Sequence, residues 1–226
     1  MLKFAPILLA LLYGYAYYRF SAWSTARNLD AQSSELVDPS LKPIFDRLAR
    51  ALDIKRIRVN IYEIAPVNGL AAPDGRIFLT RGFYEKYRAG EVTGEELAAV
   101  IAHELGHVAL GHTRRRMIDF SGQNALRTAL ALVLSRFLPG VGRAIANTLT
   151  SMLAAHLSRA DEYEADEYAT ALLTKAGIGS APQITLFEKL DALTAGGARP
   201  PAWLLSHPAT PDRIKAIRSH DAKWQS

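Results

Sequence analysis

The sequence predicts an α+β domain that is mainly helical, contains a small antiparallel sheet and follows an N-terminal transmembrane helix. Three observations support this prediction. Residues 4–18 form an unbroken apolar run, residues 56–64 alternate apolar and polar side chains as a strand does, and apolar residues recur at helical spacing through most of the remaining chain. We therefore expect a membrane anchor at residues 1–23, a linker at 24–37 and one folded domain at 38–226.

The first 23 residues are predicted to cross a membrane once. Residues 4–18 are apolar on every face, and tyrosines crowd the end of this run as they do at membrane interfaces. Arg19 can extend towards lipid headgroups and lengthen the span. We expect this segment to contact membrane lipid and to make the protein a single-pass protein of a bacterial inner membrane. The sequence does not indicate on which side of the membrane the folded domain lies. A cleaved signal peptide is the alternative, although no convincing cleavage site follows the run.

Composition excludes several classes of function. The net charge of +5 is spread along the 226 residues, and no block of Lys and Arg with interleaved aromatics occurs, so no nucleic-acid partner is expected. The chain has no cysteine. Disulfide scaffolds, thiolate metal sites and cysteine nucleophiles are therefore excluded together.

The first half of the folded domain is predicted to contain one helix and two strands. Asp38 and Pro39 begin the helix, whose apolar side chains recur at helical spacing. The alternating residues 56–64 form the first strand. A Pro-Asp-Gly turn precedes the second strand at residues 76–80, and the two strands are expected to form the antiparallel sheet.

The second half is predicted to be helical. Thr93 and Glu96 have the spacing of a capping box and precede apolar residues at helical positions. Residues 121–157 predict a helical hairpin broken at a Leu-Pro-Gly-Val-Gly turn, either buried in the core or in partial contact with a membrane. Further helices are predicted at residues 157–176, at 182–193 and from 211 onwards.

The segment His-Glu-Leu-Gly-His at residues 103–107 has the pattern of a metal site. Residues four apart differ by about 40° around a helix, so His103 and His107 point the same way and can hold one Zn²⁺. Glu104 can reach a water at the metal rather than the metal itself. The capping box upstream indicates independently that the motif lies on a helix. His103 and His107 are therefore predicted metal ligands, with Glu104 as the catalytic base.

His112 is not expected to complete this site. On a continuous helix it is rotated by about 180° from His103 and about 140° from His107, so it faces away. A known pattern recruits a third histidine through a glycine turn, but it requires Gly and His where this chain has Leu110 and Thr113. His112 is therefore predicted to be a helix-terminal residue outside the metal site.

A third ligand must come from elsewhere, because a catalytic zinc commonly takes three protein ligands and keeps one position for water. Residues 158–166, Ser-Arg-Ala-Asp-Glu-Tyr-Glu-Ala-Asp, offer four carboxylates. Glu162 and Asp166 fall on the apolar stripe of the predicted helix, where an isolated carboxylate is costly unless it meets a cation. Asp161 is close to them in phase, so the spacing leaves it as an alternative.

Three motifs in order, HELGH, SRADEYEAD and SHPATPDRI, resemble the HtpX and type I CAAX prenyl protease group of zinc metallopeptidases. The segment NGLAAPDGRIFLTRGF is similar to the edge-strand segment of that group, and the resemblance covers residues 41–218. It implies a zincin-like metallopeptidase fold with one Zn²⁺ per chain. It also implies that Glu162 is the third ligand, that Asp166 lies beside a ligating histidine and that His207, in the Ser-His-Pro loop, reaches the active site.

The activity implied by the resemblance is zinc-dependent hydrolysis of peptide bonds by an endopeptidase. Glu104 would move the proton of the attacking water, and His207 would stabilise the oxyanion. Asp166, with Arg159 as its charge partner, would orient a ligating histidine. The strand at 76–80, or the segment just before it, would align an unfolded or membrane-protein substrate in protein quality control. The alternative is a membrane-associated chaperone-like or binding protein with a structural metal and no proteolysis.

Overall fold

The computed structural model describes residues 15, 19–20, 23–72, 74–112, 115, 142–195, 201–208 and 211–224. Most of the predicted membrane anchor at 1–23 lies outside these residues, and so does the first arm of the predicted hairpin at 121–157. Among the helices that the structure describes, none is both long enough and apolar enough to cross a membrane.

The sheet is mixed, whereas the sequence predicts a small antiparallel one. Its strands are β1 (Ser33–Glu35), β2 (Val59–Tyr62), β3 (Gly69–Ala71) and β4 (Ile77–Thr80), in the spatial order β1-β2-β4-β3. β2 and β4 are parallel, and β1 and β3 pair antiparallel with them at the two edges. The prediction is wrong because it omits β3. After β2 the chain turns so that β3 runs in the opposite direction, and it turns again before β4. β4 therefore runs in the same direction as β2.

The segment predicted as a linker, residues 24–37, contains regular structure. Residues 23–31 are helical, and β1 pairs with β2. Leu29 is buried in a small cluster with Ala72 and Phe78. A three-residue edge strand is too short to show an alternating pattern, which is why the sequence does not indicate it. The division into domains stays a prediction, although the sheet begins before residue 38.

The helices after β1 are numbered along the described part of the chain. They are α1 (Lys42–Ala51), α2 (Arg81–Arg88), α3 (Gly94–Ala109), α4 (Gly142–Lys175), α5 (Ala181–Ala195), α6 (Ala202–Ser206) and α7 (Pro211–Trp224). The sequence predicts separate helices on the two sides of residue 157, but α4 runs through this point without a break. The physical reason is that neither Gly nor Pro occurs between residues 143 and 175.

The central element is α3. It begins with the predicted capping box: the Thr93 hydroxyl accepts from the Glu96 N–H at 3.1 Å, and the Glu96 carboxylate accepts from the Thr93 N–H at 2.8 Å. All residues from 96 to 104 are buried, because the sheet, α1, α4 and α5 pack around this helix. The metal-site motif therefore lies on the most enclosed helix of the described structure.

α3 and α4 come close together at Gly106. A Cβ atom at this position would lie 3.1 Å from both the Cα and the carbonyl oxygen of Ala165. Glycine is therefore favoured here by the tight space beside the α4 backbone rather than by backbone conformation. The close approach brings the carboxylates of α4 within reach of the histidines of α3.

Candidate metal centre

Four side chains with metal-binding atoms converge between the helices. His103 and His107 come from α3, Glu162 from α4, and His207 from the position directly after α6. One nitrogen or oxygen of each lies within 4.8 Å of the others, and all four side chains are buried. The Nε2 atoms of His103 and His107 are 3.1 Å apart, as expected for residues one helical turn apart.

The hydrogen bond at the outer nitrogen of His103 determines what its inner nitrogen offers. Nδ1 lies 3.0 Å from Asp166 Oδ1, and because a carboxylate only accepts, Nδ1 donates. In the neutral ring, Nε2 therefore presents a lone pair to the cluster. This Nε2 faces Glu162 Oε2 at 3.3 Å, and the other Glu162 oxygen lies 3.5 Å from His107 Nε2. Buried acceptors that face each other need a cation between them, so the donor set fits Zn²⁺ in atom type and charge.

The electrostatics of the cluster also favour positive charge. Burial disfavours the imidazolium of His103, but hydrogen bonds to Asp166 and Glu162 outweigh burial and raise the pKa of His103 to about 9. Burial likewise disfavours the carboxylate of Glu162, yet hydrogen bonds to His103 and His207 hold its pKa well below the ordinary value. The cluster therefore pairs a protonated His103 with an ionised Glu162, and a bound metal cation would take the place of that proton beside the carboxylate.

Asp166 lies beside His103, one of the two predicted ligands on α3. Arg213 of α7 binds it with two nitrogens, at 2.6 and 2.8 Å, and Gln183 donates to it at 3.3 Å. Burial raises the pKa of Asp166, but the hydrogen bonds from Arg213 and His103 outweigh burial and lower it. Asp166 is therefore a charged acceptor that holds His103 in place.

The prediction of Arg159 as the charge partner of Asp166 is corrected by the structure. The guanidinium at Asp166 belongs to Arg213, and Arg159 is exposed. Seven residues separate Arg159 from Asp166 on α4, which places them about 10 Å apart along the helix axis. Arg213 stands in the motif SHPATPDRI, but the spacing of 47 residues from Asp166 carries no periodic signal that would connect the two.

Glu104 faces the same enclosed space without belonging to the four-residue cluster. Its Oε1 lies 3.4 Å from His207 Nε2 and 3.4 Å from the indole Nε1 of Trp203. The Trp203 ring also covers the site, with its centroid 5.8 Å from that of His103. The sequence does not predict a role for Trp203, because a single tryptophan near a Gly/Pro-rich loop has no distinguishing pattern.

The prediction that His112 faces away is wrong. It assumed a continuous helix, but α3 ends at Ala109 and Gly111 has a φ of +71°, a conformation that favours glycine. The chain reverses there and places His112 Nδ1 2.9 Å from His107 Nδ1. His112 nevertheless stays outside the cluster, because it contacts the outer nitrogen of His107. Asp161 lies beside His112 rather than in the cluster, so Glu162 is the α4 carboxylate at the candidate metal position.

The edge strand next to the site is β3. A Cβ atom at Gly69 would lie 2.6 Å from Val100 Cγ1 and 3.8 Å from Glu104 Cγ, so this strand passes directly over the motif helix. β4 is paired on both sides, whereas β3 pairs only with β4 among the described strands. Two segments are predicted to align a substrate, the strand at 76–80 and the segment just before it. The segment before residue 76, which contains β3, is the one that has a free edge among the described strands.

Comparison with known proteins agrees with this geometry. Residues 35–221 match the model of peptidase family M48. The chain is 32% identical to metalloprotease LoiP of Escherichia coli (strain K12) over 178 residues, which cover 79% of this chain and 68% of LoiP. It is 27% identical to protease HtpX of Pseudomonas putida (strain GB-1) over 229 residues, which cover 86% of this chain and 76% of HtpX.

A third relative is longer than this chain. It is a putative beta-barrel assembly-enhancing protease of Vibrio cholerae serotype O1, 30% identical over 226 residues that cover 95% of this chain and 44% of the relative. The family match spans most of the described domain, including the histidines of α3 and the carboxylates of α4. The chain therefore belongs to peptidase family M48, and it is a zinc-dependent metalloprotease.

Proposed function

We propose that the chain is an endopeptidase in which His103, His107 and Glu162 hold one Zn²⁺ and Glu104 is the general base. The supporting observation is the convergence of lone pairs and a carboxylate in a buried space: the two Nε2 atoms are 3.1 Å apart, and each lies within 3.5 Å of a Glu162 oxygen. When bound, the Zn²⁺ would polarise the scissile carbonyl and lower the pKa of the attacking water.

Glu104 is proposed to take the proton of the water and return it to the leaving amine. The Trp203 indole N–H donates towards the same carboxylate oxygen that faces His207, and these contacts hold the base in one orientation. His207 is proposed to donate to the developing oxyanion. His207 Nδ1 lies 2.8 Å from Glu162 Oε2, so the ring of His207 is positioned beside the predicted ligands.

The substrate is a polypeptide, and we propose that it binds by pairing with the free edge of β3. An extended peptide added to this edge would run beside Glu104, because β3 lies against this part of α3. Main-chain pairing selects extended backbone rather than a particular side chain, which suits unfolded or membrane-protein substrates. The name of the Vibrio cholerae relative points to the same class of substrate.

We further propose that residues 1–23 tether the protease to a bacterial inner membrane. The support is the apolar run of residues 4–18 in the sequence. Carbonate extraction of membranes that contain the full chain would test this: retention in the pellet supports the tether, and release into the supernatant contradicts it.

The roles of the α3 residues are tested by measuring zinc content and casein cleavage on the same preparations. We expect Glu104→Gln to keep zinc and to lose about 10²–10⁴-fold in cleavage rate, because only the base is removed. His103→Ala is expected to lose both. Wild-type protein without bound zinc would contradict the proposal, and so would a Glu104→Gln variant with full activity.

The third ligand is tested with two carboxylates of the same helix. We expect Glu162→Ala to lose bound zinc and Glu167→Ala, which lies outside the cluster, to keep it. Equal zinc content of the two variants would remove Glu162 from the ligand set.

A further inference from the structure

His112 is fully buried although it does not belong to the metal cluster. Its two ring nitrogens have different partners. Nδ1 lies 2.9 Å from His107 Nδ1, and Nε2 lies 3.0 Å from Glu164 Oε2 and 3.8 Å from Asp161 Oδ1. The ring therefore connects the outer nitrogen of a predicted ligand on α3 with two carboxylates on α4.

These contacts determine the proton positions along the connection. Both partners of His112 Nε2 are carboxylate oxygens, which only accept, so Nε2 carries a proton and donates to Glu164. In the neutral ring, His112 Nδ1 is then an acceptor, and His107 Nδ1 must be the donor. The inner nitrogen of His107, Nε2, consequently presents its lone pair to the cluster. The reverse arrangement would place a lone pair of His112 against a carboxylate and an N–H of His107 in the metal position.

We infer that His112 is a positioning residue for the metal site, which holds His107 in the ligating tautomer and in one ring orientation. The inference rests on the proposed function, since it assigns a role relative to the bound Zn²⁺. The support has three parts: an acceptor within hydrogen-bond distance of the ligand's outer nitrogen, a carboxylate that orients the acceptor, and a turn at Gly111 that brings the ring back to α3. Outer hydrogen bonds of this kind typically fix the tautomer of a ligating histidine.

A separate cation site at His112 is less consistent with the geometry. His112, Asp161 and Glu164 do offer three atoms within 4.8 Å of one another. However, Arg115 already places a guanidinium nitrogen 3.3 Å from Asp161 Oδ1. A metal on His112 Nε2 would also leave the ring's proton on Nδ1, and His107 would then lose its lone pair at the cluster.

Two nearly isosteric substitutions test the role of the acceptor. Asn at position 112 can place its amide oxygen close to the position of the imidazole Nδ1, whereas Leu has a similar size and no acceptor. We expect His112→Leu to weaken Zn²⁺ binding by about 10–100-fold, measured by competition with a chromogenic chelator. His112→Asn should stay within a few-fold of wild type.

The d–d absorption of the Co²⁺-loaded protein provides a readout that does not depend on activity. We expect the band positions of His112→Leu to differ from those of wild type, since His107 can rotate, and those of His112→Asn to agree with wild type. Equal Zn²⁺ affinity and equal Co²⁺ spectra in all three proteins would overturn the inference. Equal losses in the Leu and Asn variants would overturn it as well, because the size of the ring and not its acceptor would then matter.

A second substitution avoids the buried position. Glu164 is 53% exposed at its side chain, so Glu164→Ala is expected to fold even if His112→Leu does not. We expect it to weaken Zn²⁺ binding by a smaller factor than His112→Leu, because Asp161 remains near Nε2. Glu167→Ala is the matched control and should bind like wild type. Wild-type affinity in Glu164→Ala would contradict the inference, whereas absence of metal from wild type itself would contradict the proposed function.

Discussion

The two histidine ligands predicted on α3 are supported in different ways. His103 donates directly to Asp166, and Arg213 neutralises this carboxylate from α7; all three side chains are buried. His107 instead contacts the ring of His112, and the carboxylate behind that ring, Glu164, is half exposed. One predicted ligand is thus held by buried charges from two other helices, α4 and α7, and the other by a chain of hydrogen bonds that ends at the surface.

This difference predicts that the residues around His103 and those around His107 affect different properties of the protein. A buried ion pair contributes little net free energy, but breaking it leaves an uncompensated charge in a medium that solvates charge poorly. A half-exposed carboxylate is solvated by water whether or not its partner is present. We therefore expect changes on the His103 side to alter the free energy of unfolding, and changes at the outer end of the His107 side to alter mainly metal binding.

The largest effect is expected for Arg213→Met. Its removal takes both guanidinium hydrogen bonds away from the buried Asp166, and Glu162 also loses a guanidinium 3.4 Å away, so we expect a loss of about 3–5 kcal/mol in the free energy of unfolding. Urea denaturation in the presence of chelator measures this loss without a contribution from bound metal.

The matched control is Arg159→Met on the exposed face of α4, which should change the free energy of unfolding by less than about 0.5 kcal/mol. Equal losses in the two variants would contradict the assignment of Arg213 as the partner of Asp166.

A smaller effect with a defined pH dependence is expected for Asp166→Asn. Because folding lowers the pKa of Asp166 from 3.8, its contribution to stability is present above pH 3.8 and is lost as the pH falls through the lower pKa of the folded state. At neutral pH, we expect Asn to cost about 1.5–3 kcal/mol, since an amide oxygen still accepts but carries no charge.

The pH dependence is measured by urea denaturation of both proteins, with chelator, from neutral pH to the acid limit of folding. The difference in unfolding free energy between wild type and Asp166→Asn should narrow below pH 3.8. A difference that stays constant over this range would contradict a charged Asp166 in the folded protein.

The smallest effect is expected for Glu164→Gln. The amide oxygen can still accept from His112, and the exposed position leaves solvation nearly unchanged, so the free energy of unfolding should change by less than about 1 kcal/mol. Thermal unfolding of the chelator-treated protein measures it. A loss as large as that of Arg213→Met would remove the proposed difference between the two ligands.

Helices were predictable from the sequence where their apolar pattern is long or where a capping motif marks their first turn. The capping box at Thr93 and the apolar positions of α3 predict the motif helix correctly, because side chains three and four residues apart determine both. The sheet was less predictable. β1 and β3 are three residues each, too short for an alternating pattern, and the omission of β3 changed the predicted sheet from mixed to antiparallel.

Within the site, the sequence alone determined which α3 residues face one another, because helical geometry relates His103 to His107 directly. The family resemblance selected Glu162 over Asp161, which helical phase leaves nearly equivalent. Helical geometry no longer applies after the end of α3. Gly111, in the left-handed conformation, reverses the chain there and turns His112 back towards His107.

What the tertiary structure alone decided is how the ligands are supported. Arg213 meets Asp166 across 47 residues, and His112 meets Glu164 across 52. Contacts at these separations depend on how α3, α4 and α7 pack, and the close approach at Gly106 sets the distance between the first two helices. Local sequence determines the periodicity of each helix, but only packing in three dimensions determines which faces meet, because packing energies depend on all the side chains at an interface together.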